Sequence, residues 1–104
     1  MAAETSQMRM MMTVTIGAEA GNRGLKDGSL PRTIEAFVKQ FKPEAAYFTI
    51  AGGDRTAIFV LSMTDAHQLP ALAEPFFEAL GAHIELTPAM NADDLKTGLQ
   101  QLPH

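Results

Sequence analysis

The chain has 104 residues, 46% apolar and 19% charged, with a net charge of −4 and no Cys. Such a chain folds as one domain and buries roughly two-thirds of its unfolded surface without help from a disulfide. The acidic balance, with no basic cluster, argues against nucleic acid; the lack of Cys removes thiolate chemistry, and no apolar run reaches the ~20 residues of a membrane span.

The opening "MAAETSQ" carries no basic segment followed by an apolar one. Residues 1–7 therefore read as a flexible leader, residues 8–104 as a single domain, and the protein as cytoplasmic. "MRMMMTVTI" (8–16) is a dense apolar strand with Met10, Met12, Val14 and Ile16 on one face and Met11, Thr13 and Thr15 on the other. Glycines 17, 21, 24 and 28 then break any long helix and leave room for a turn or two over 18–26. Ser29 is the expected N-cap of a helix carrying Leu30, Ile34, Phe37, Val38 and Phe41 at helical spacing, ended by Pro43. A half-buried strand over 45–50 follows, then a hairpin turn at Gly52-Gly53, then "TAIFVLSM", a strand covered on both faces. Asp65 caps a second helix with Leu69, Leu72, Phe76 and Leu80 on its stripe and Gly81 at its stop; Pro75 is expected to kink or split it. "HIELTPAM" (83–90) makes a fourth strand, and a short helix over 93–102 ends the chain.

The order β-α-β-β-α-β predicts an α+β, ferredoxin-like domain: a four-stranded antiparallel sheet in the order 4-1-3-2, with a short C-terminal helix added. The two dense apolar runs are the strands predicted central, and the alternating ones, each with a proline near one end, are the predicted edges. Two helices cover only one face of such a sheet. The apolar residues on the other face predict a homodimer whose sheets face each other.

The phrases "AGNRGLKDGSLPRTIEAF", "FKPEAAYF", "GDRTAIFV" and "LPALAEPFFEALGAHIELTPAMNADDL" resemble those of a family of small uncharacterised bacterial proteins. That family is similar to the dimeric α+β barrel superfamily, which includes cofactor-independent monooxygenases, muconolactone-isomerase-like enzymes and stress-responsive barrel proteins. The resemblance spans about Met8 to Leu95 and implies a dimeric barrel. It carries over no catalytic residue, because none of the enzymes' catalytic motifs is present.

Six residues stand out as ligand-binding candidates. Arg32 and Glu74 flank a gap expected between helices and sheet beside Pro75, where fold relatives bind substrates. Five phenylalanines, Phe37, Phe41, Phe48, Phe76 and Phe77, would fill that gap in the alternative reading. Tyr47 faces the second copy, as a proton donor to a ligand or, by preference, as an interface aromatic. Arg55, beside the turn, is free to reach an acid across the dimer. His83 and Glu85 share a strand face as a base and its orienter, or as polar groups of an edge strand, the preferred reading. No histidine spacing suits zinc, and the N-terminal methionines read as packing residues, so neither metal nor cofactor is expected. The expectation for function is a small apolar or aromatic molecule bound in the sheet–helix cleft, with a cofactor-free monooxygenase or isomerase reaction as its extension. The alternative is a non-catalytic module for self-association or partner binding.

Overall fold

The computed structural model describes residues 7–103, so all of the expected leader except Gln7 lies outside the described residues. In chain order the elements are β1 (Met8–Ile16), α1 (Ala18–Asp27), α2 (Ser29–Phe41), β2 (Ala45–Ala51), β3 (Asp54–Met63), a single 3₁₀ turn (Ala66–Gln68), α3 (Leu69–Leu80), β4 (His83–Pro88) and α4 (Ala92–Gln100). The four strands form one antiparallel sheet in the order β2-β3-β1-β4, which read from its other edge is 4-1-3-2.

Alternation along the strands decides where the core lies. Met10, Met12, Val14 and Ile16 of β1 share a face with Ala57, Phe59 and Leu61 of β3, and all seven are buried. The helices lie on that face and add Phe37, Leu72, Phe76 and Leu80. Phe59 is the centre: its ring centroid lies 4.7 Å from Phe37, 6.0 Å from Phe76 and 6.1 Å from Phe48. These are ordinary separations for tilted and edge-on aromatic pairs. The gap over the middle of the sheet is therefore filled by aromatic rings, although Phe77 takes no part and is 44% exposed.

Several local expectations change. The glycines of 17–28 do not break the helix. α1 runs ten residues through Gly21 and Gly24, both buried, because the missing side chains let it lie close against Arg55, Leu30 and Leu80. Gly28 does interrupt, with φ +82°, and α2 starts at Ser29 itself. Ser29 is thus the first helical residue rather than the cap, a place Gly28 takes without a side-chain bond; Asp27, the last residue of α1, accepts the Ser29 N–H at 2.8 Å, and the hydrogen bonds from Ser29 hold its carboxyl below the usual carboxylate range. Pro75 sits inside α3 without splitting it; the carbonyl it leaves without a helical donor, that of Ala71, belongs to an exposed residue that water can reach. β2 is less covered than expected, with Phe48 58% and Ile50 76% exposed, because no helix extends over its outer end.

Other features follow the sequence closely. Gly52 and Gly53 both have positive φ, +62° and +84°, between the paired Ala51 and Asp54, as a two-residue hairpin turn requires. Asp65 caps the 3₁₀ turn that leads into α3, accepting the His67 N–H at 3.0 Å, while Gln68 returns a bond to the Asp65 N–H. β4 stops at Pro88, two residues short of the expected end, and α4 begins at Ala92 behind an Asn91–Asp94 capping box. No helix among the described residues is long and apolar enough to cross a membrane.

Candidate functional site

The face of the sheet away from the helices is open. Strand pairing sets its residues in rows from β2 to β4: Ala45, Val60, Met11, Thr87; then Tyr47, Ile58, Thr13, Glu85; then Thr49, Thr56, Thr15, His83. Met11, Ile58, Val60 and Tyr47 make an apolar patch within a threonine-rich surround, and Tyr47 is 66% exposed. At one corner Arg9 bridges Glu44 at 2.9 Å and Asp94 at 3.3 Å, and its hydrogen bond to Glu44 leads in raising its pKa above the ordinary value.

On the helix side an apolar groove of about 420 Å³ opens between the start of α2 and the uncovered end of β2 and β3. It exists because Ala57 is small. On this face Ala57 stands in a row between Phe48 and Val14, and no larger side chain rises from the floor to meet Leu30, Pro31 and Ile34 of α2. Ile16 closes one side, and Glu35 and Arg55 supply the polar side chains of the lining; Thr49 and Thr56 also border it, although strand alternation turns their side chains to the open face. Thr56 is buried and its hydroxyl donates to the Asp54 carbonyl at 3.0 Å, so its proton is already committed. A second cavity of about 240 Å³ lies between α2 and Pro75, lined by Arg32, Thr33, Ala36, Phe37, Gln40 and Phe41.

These surfaces distribute the six candidates over separate places. Arg32 borders the smaller cavity, but its guanidinium folds back to donate to the Asp27 carbonyl at 3.2 Å. Glu74 is exposed on α3 and lines neither cavity. Tyr47 and Glu85 share a row on the open face yet stand three strands apart, about 14 Å at the usual inter-strand spacing. His83 and Glu85 do face the same way, but Nε2 and Oε1 are 3.8 Å apart, too far for the hydrogen bond that would orient a base, and both are well exposed.

Arg55 is the one that reaches a cavity with chemical character. It lies on the helix face, opposite Ile16 and Ile50, and its Nη2 donates to Asn22 Oδ1 at 3.1 Å. That orientation directs it toward its own groove rather than across the open face. Among the described residues no carboxylate comes within ion-pairing distance of it. Neither Asn22 nor Ala57 drew notice in the sequence, although a lone alanine in the apolar run of β3 was a signal that something else fills that space. No three His, Cys, Asp or Glu side chains among the described residues are grouped as metal ligands would be.

No protein-family model matches the chain, and no curated protein matches it in sequence. Among solved structures it is similar to an uncharacterized protein of Thermotoga maritima, with a TM-score of 0.55 and 13% identity, over 82% of this chain and 100% of that one. The likeness is one of fold.

Proposed function

We propose that this chain binds a small apolar molecule carrying an acid group in the groove beside Arg55. In this reading it acts as a homodimer of the dimeric α+β barrel type, two ferredoxin-like units closing over their open sheet faces. The observation that carries the reading is Arg55, a half-buried residue at a wall of the apolar groove whose guanidinium has, among the described residues, a neutral amide and no carboxylate for a partner. A cation partly withdrawn from water is costly without a counter-charge, and a carboxylate matches the guanidinium fork with two parallel hydrogen bonds. A groove of about 420 Å³ falls within the size range of small-molecule sites. Its walls hold no acid–base pair in contact, and His83 and Glu85 are on the opposite face of the sheet. Binding, rather than an oxygenase or isomerase reaction, is therefore the function proposed.

The test is calorimetry with aromatic and medium-chain carboxylic acids against the matched alcohols, on the protein and on Arg55→Gln. The acids should bind at least about tenfold more tightly than the alcohols, as a charged hydrogen bond is worth about 1.5–3 kcal/mol, and Arg55→Gln should remove the difference. Equal affinity for acid and alcohol, or an acid preference that survives in Arg55→Gln, overturns the role given to Arg55. The exposed patch of Met11, Tyr47, Ile58 and Val60 supports the second reading, self-association alone. That reading stands if the protein is dimeric and no member of the panel binds.

A further inference from the structure

We infer that α1 holds the arginine of the groove in its binding position, with Gly21 as the seat of the Arg55 side chain and Asn22 as the residue that positions its guanidinium. The inference rests on the acid-binding reading proposed above. It goes beyond that reading by bringing into the site two residues that do not line the groove.

An arginine left to itself samples many rotamers, and a ligand that binds it must first fix one of them. Here the stem and the head of Arg55 are fixed separately. Gly21 is buried within α1, and a Cβ there would stand 3.3 Å from Arg55 Cδ and 3.4 Å from Cζ, and nearer still to Nη1. The side chain therefore lies across the helix at a residue with no side chain to push it away. At its tip, Nη2 donates to Asn22 Oδ1 at 3.1 Å, a bond between residues 33 apart in the chain.

The chemistry of residue 22 matters as much as the contact. Aspartate there would make the same bond as an ion pair and cancel the charge. Asparagine holds the guanidinium and leaves its charge uncompensated. Glu35, the acid on the groove wall, is not within ion-pairing distance of it either. A guanidinium has five N–H donors. Among the described residues only the bond to Asn22 engages them, and no unpartnered nitrogen of Arg55 is sealed from solvent. A cation that is held in place, uncompensated and with donors to spare is pre-organised for an anionic group.

The test joins NMR of the ligand-free protein to calorimetry with hexanoic acid against hexanol, on the protein, Asn22→Ala and Asn22→Asp. The Arg55 Nε–H signal, identified by its loss in Arg55→Gln, should show the restricted motion of an ordered group. It should become mobile in Asn22→Ala and stay ordered in Asn22→Asp. Acid affinity should fall about three- to tenfold in Asn22→Ala, the cost of fixing one long side chain, and at least about tenfold in Asn22→Asp, with hexanol unaffected in both. A tie that merely joined α1 to β3 would not lose acid binding in the aspartate variant while Arg55 stays ordered. An Nε–H that is already mobile in the unaltered protein, or acid affinity kept in either Asn22 variant while Arg55→Gln loses it, overturns the holder and leaves the groove reading intact. No preference for the acid in the unaltered protein overturns the groove reading and the role of Asn22 with it, whatever the NMR shows.

Discussion

Gly24→Ala separates two accounts of α1 by sign. If the glycines of this segment were merely flexible, replacing one inside a ten-residue helix would stabilise the protein by about 1 kcal/mol, the ordinary difference in helix propensity. The structure gives the opposite answer. A Cβ on Gly24 would lie 2.9 Å from Leu80 Cδ2, 3.0 Å from Leu30 Cβ and 3.3 Å from the Leu30 backbone nitrogen. The Leu80 methyl is the end of a side chain, but that side chain is 1% exposed and packed on every side. The Leu30 atoms can retreat only if the start of α2 moves. Overpacking of this kind costs about 1–3 kcal/mol, so the net effect should run from near zero to a loss of about 2 kcal/mol. At roughly 4–8 °C per kcal/mol, that is a melting temperature lower by as much as about 16 °C. Urea unfolding of both proteins, compared at constant m, is the assay. A midpoint that rises by an amount worth about 1 kcal/mol would refute close packing of α1 against α2 and α3. Gly21→Ala makes the contrast, because its Cβ would meet the Arg55 guanidinium and stem, a long side chain free to swing away. It should leave stability unchanged or slightly higher while weakening the binding of acids.

Other substitutions test the remaining parts of the fold. Phe59→Ala removes a fully buried ring that touches three others and should cost about 3–5 kcal/mol by denaturant unfolding; a loss under about 1 kcal/mol would show that the core is not centred there. Pro75→Ala returns an N–H to the Ala71 carbonyl and should raise stability, by less than the ~3 kcal/mol of a surface helix because packing beside Phe37 and Phe41 is lost; destabilisation would mean that the proline ring is needed there. The carboxyls of Asp27 and Asp65 are both held below their usual range, by hydrogen bonds from Ser29 and from the His67 backbone respectively. Their contribution is present above the unfolded value near pH ~3.9 and is lost as pH falls through the lower folded values. Asp27→Asn/Asp65→Asn should therefore flatten the acid limb of stability against pH between about 5 and 2, and an unchanged slope would rule out these two carboxyls as its source.

The fold was legible where periodicity and punctuation agree. Alternation in β1, the glycine pair at 52–53 and Asp65 at the head of its helix each carry their own geometry, because a period of two, a positive φ or a capping side chain leaves few alternatives. What the sequence hid depends on distance between segments. Gly24 looks the same whether it breaks a helix or admits Leu30 and Leu80. Arg55 looks the same whether it points across a dimer or into its own groove, since one residue of register reverses the answer. The groove itself is an absence, a place where Ala57 is small and α2 begins late, and no motif records it. His83 and Glu85 do share one face, but a shared face leaves the separation open, and at 3.8 Å the two side chains make no hydrogen bond.

An open sheet face is not by itself a sign of a partner, since antiparallel sheets often leave one face to water. The composition of this face is what argues otherwise. Solvated faces carry polar residues throughout, whereas here Met11, Ile58, Val60 and Tyr47 form the patch, and the charged residues, Arg9, His83 and Glu85, stand at its ends and edge. That is the arrangement the proposed pairing calls for, an apolar centre with a polar rim. Arg9, held between Glu44 and Asp94 at the corner of this face, belongs to that rim, and exposed ion pairs of this kind contribute little to folding. Arg9→Gln accordingly should leave the melting temperature of a dissociated chain unchanged and weaken dimerisation. A chain that loses monomer stability but keeps its dimer would reverse that assignment.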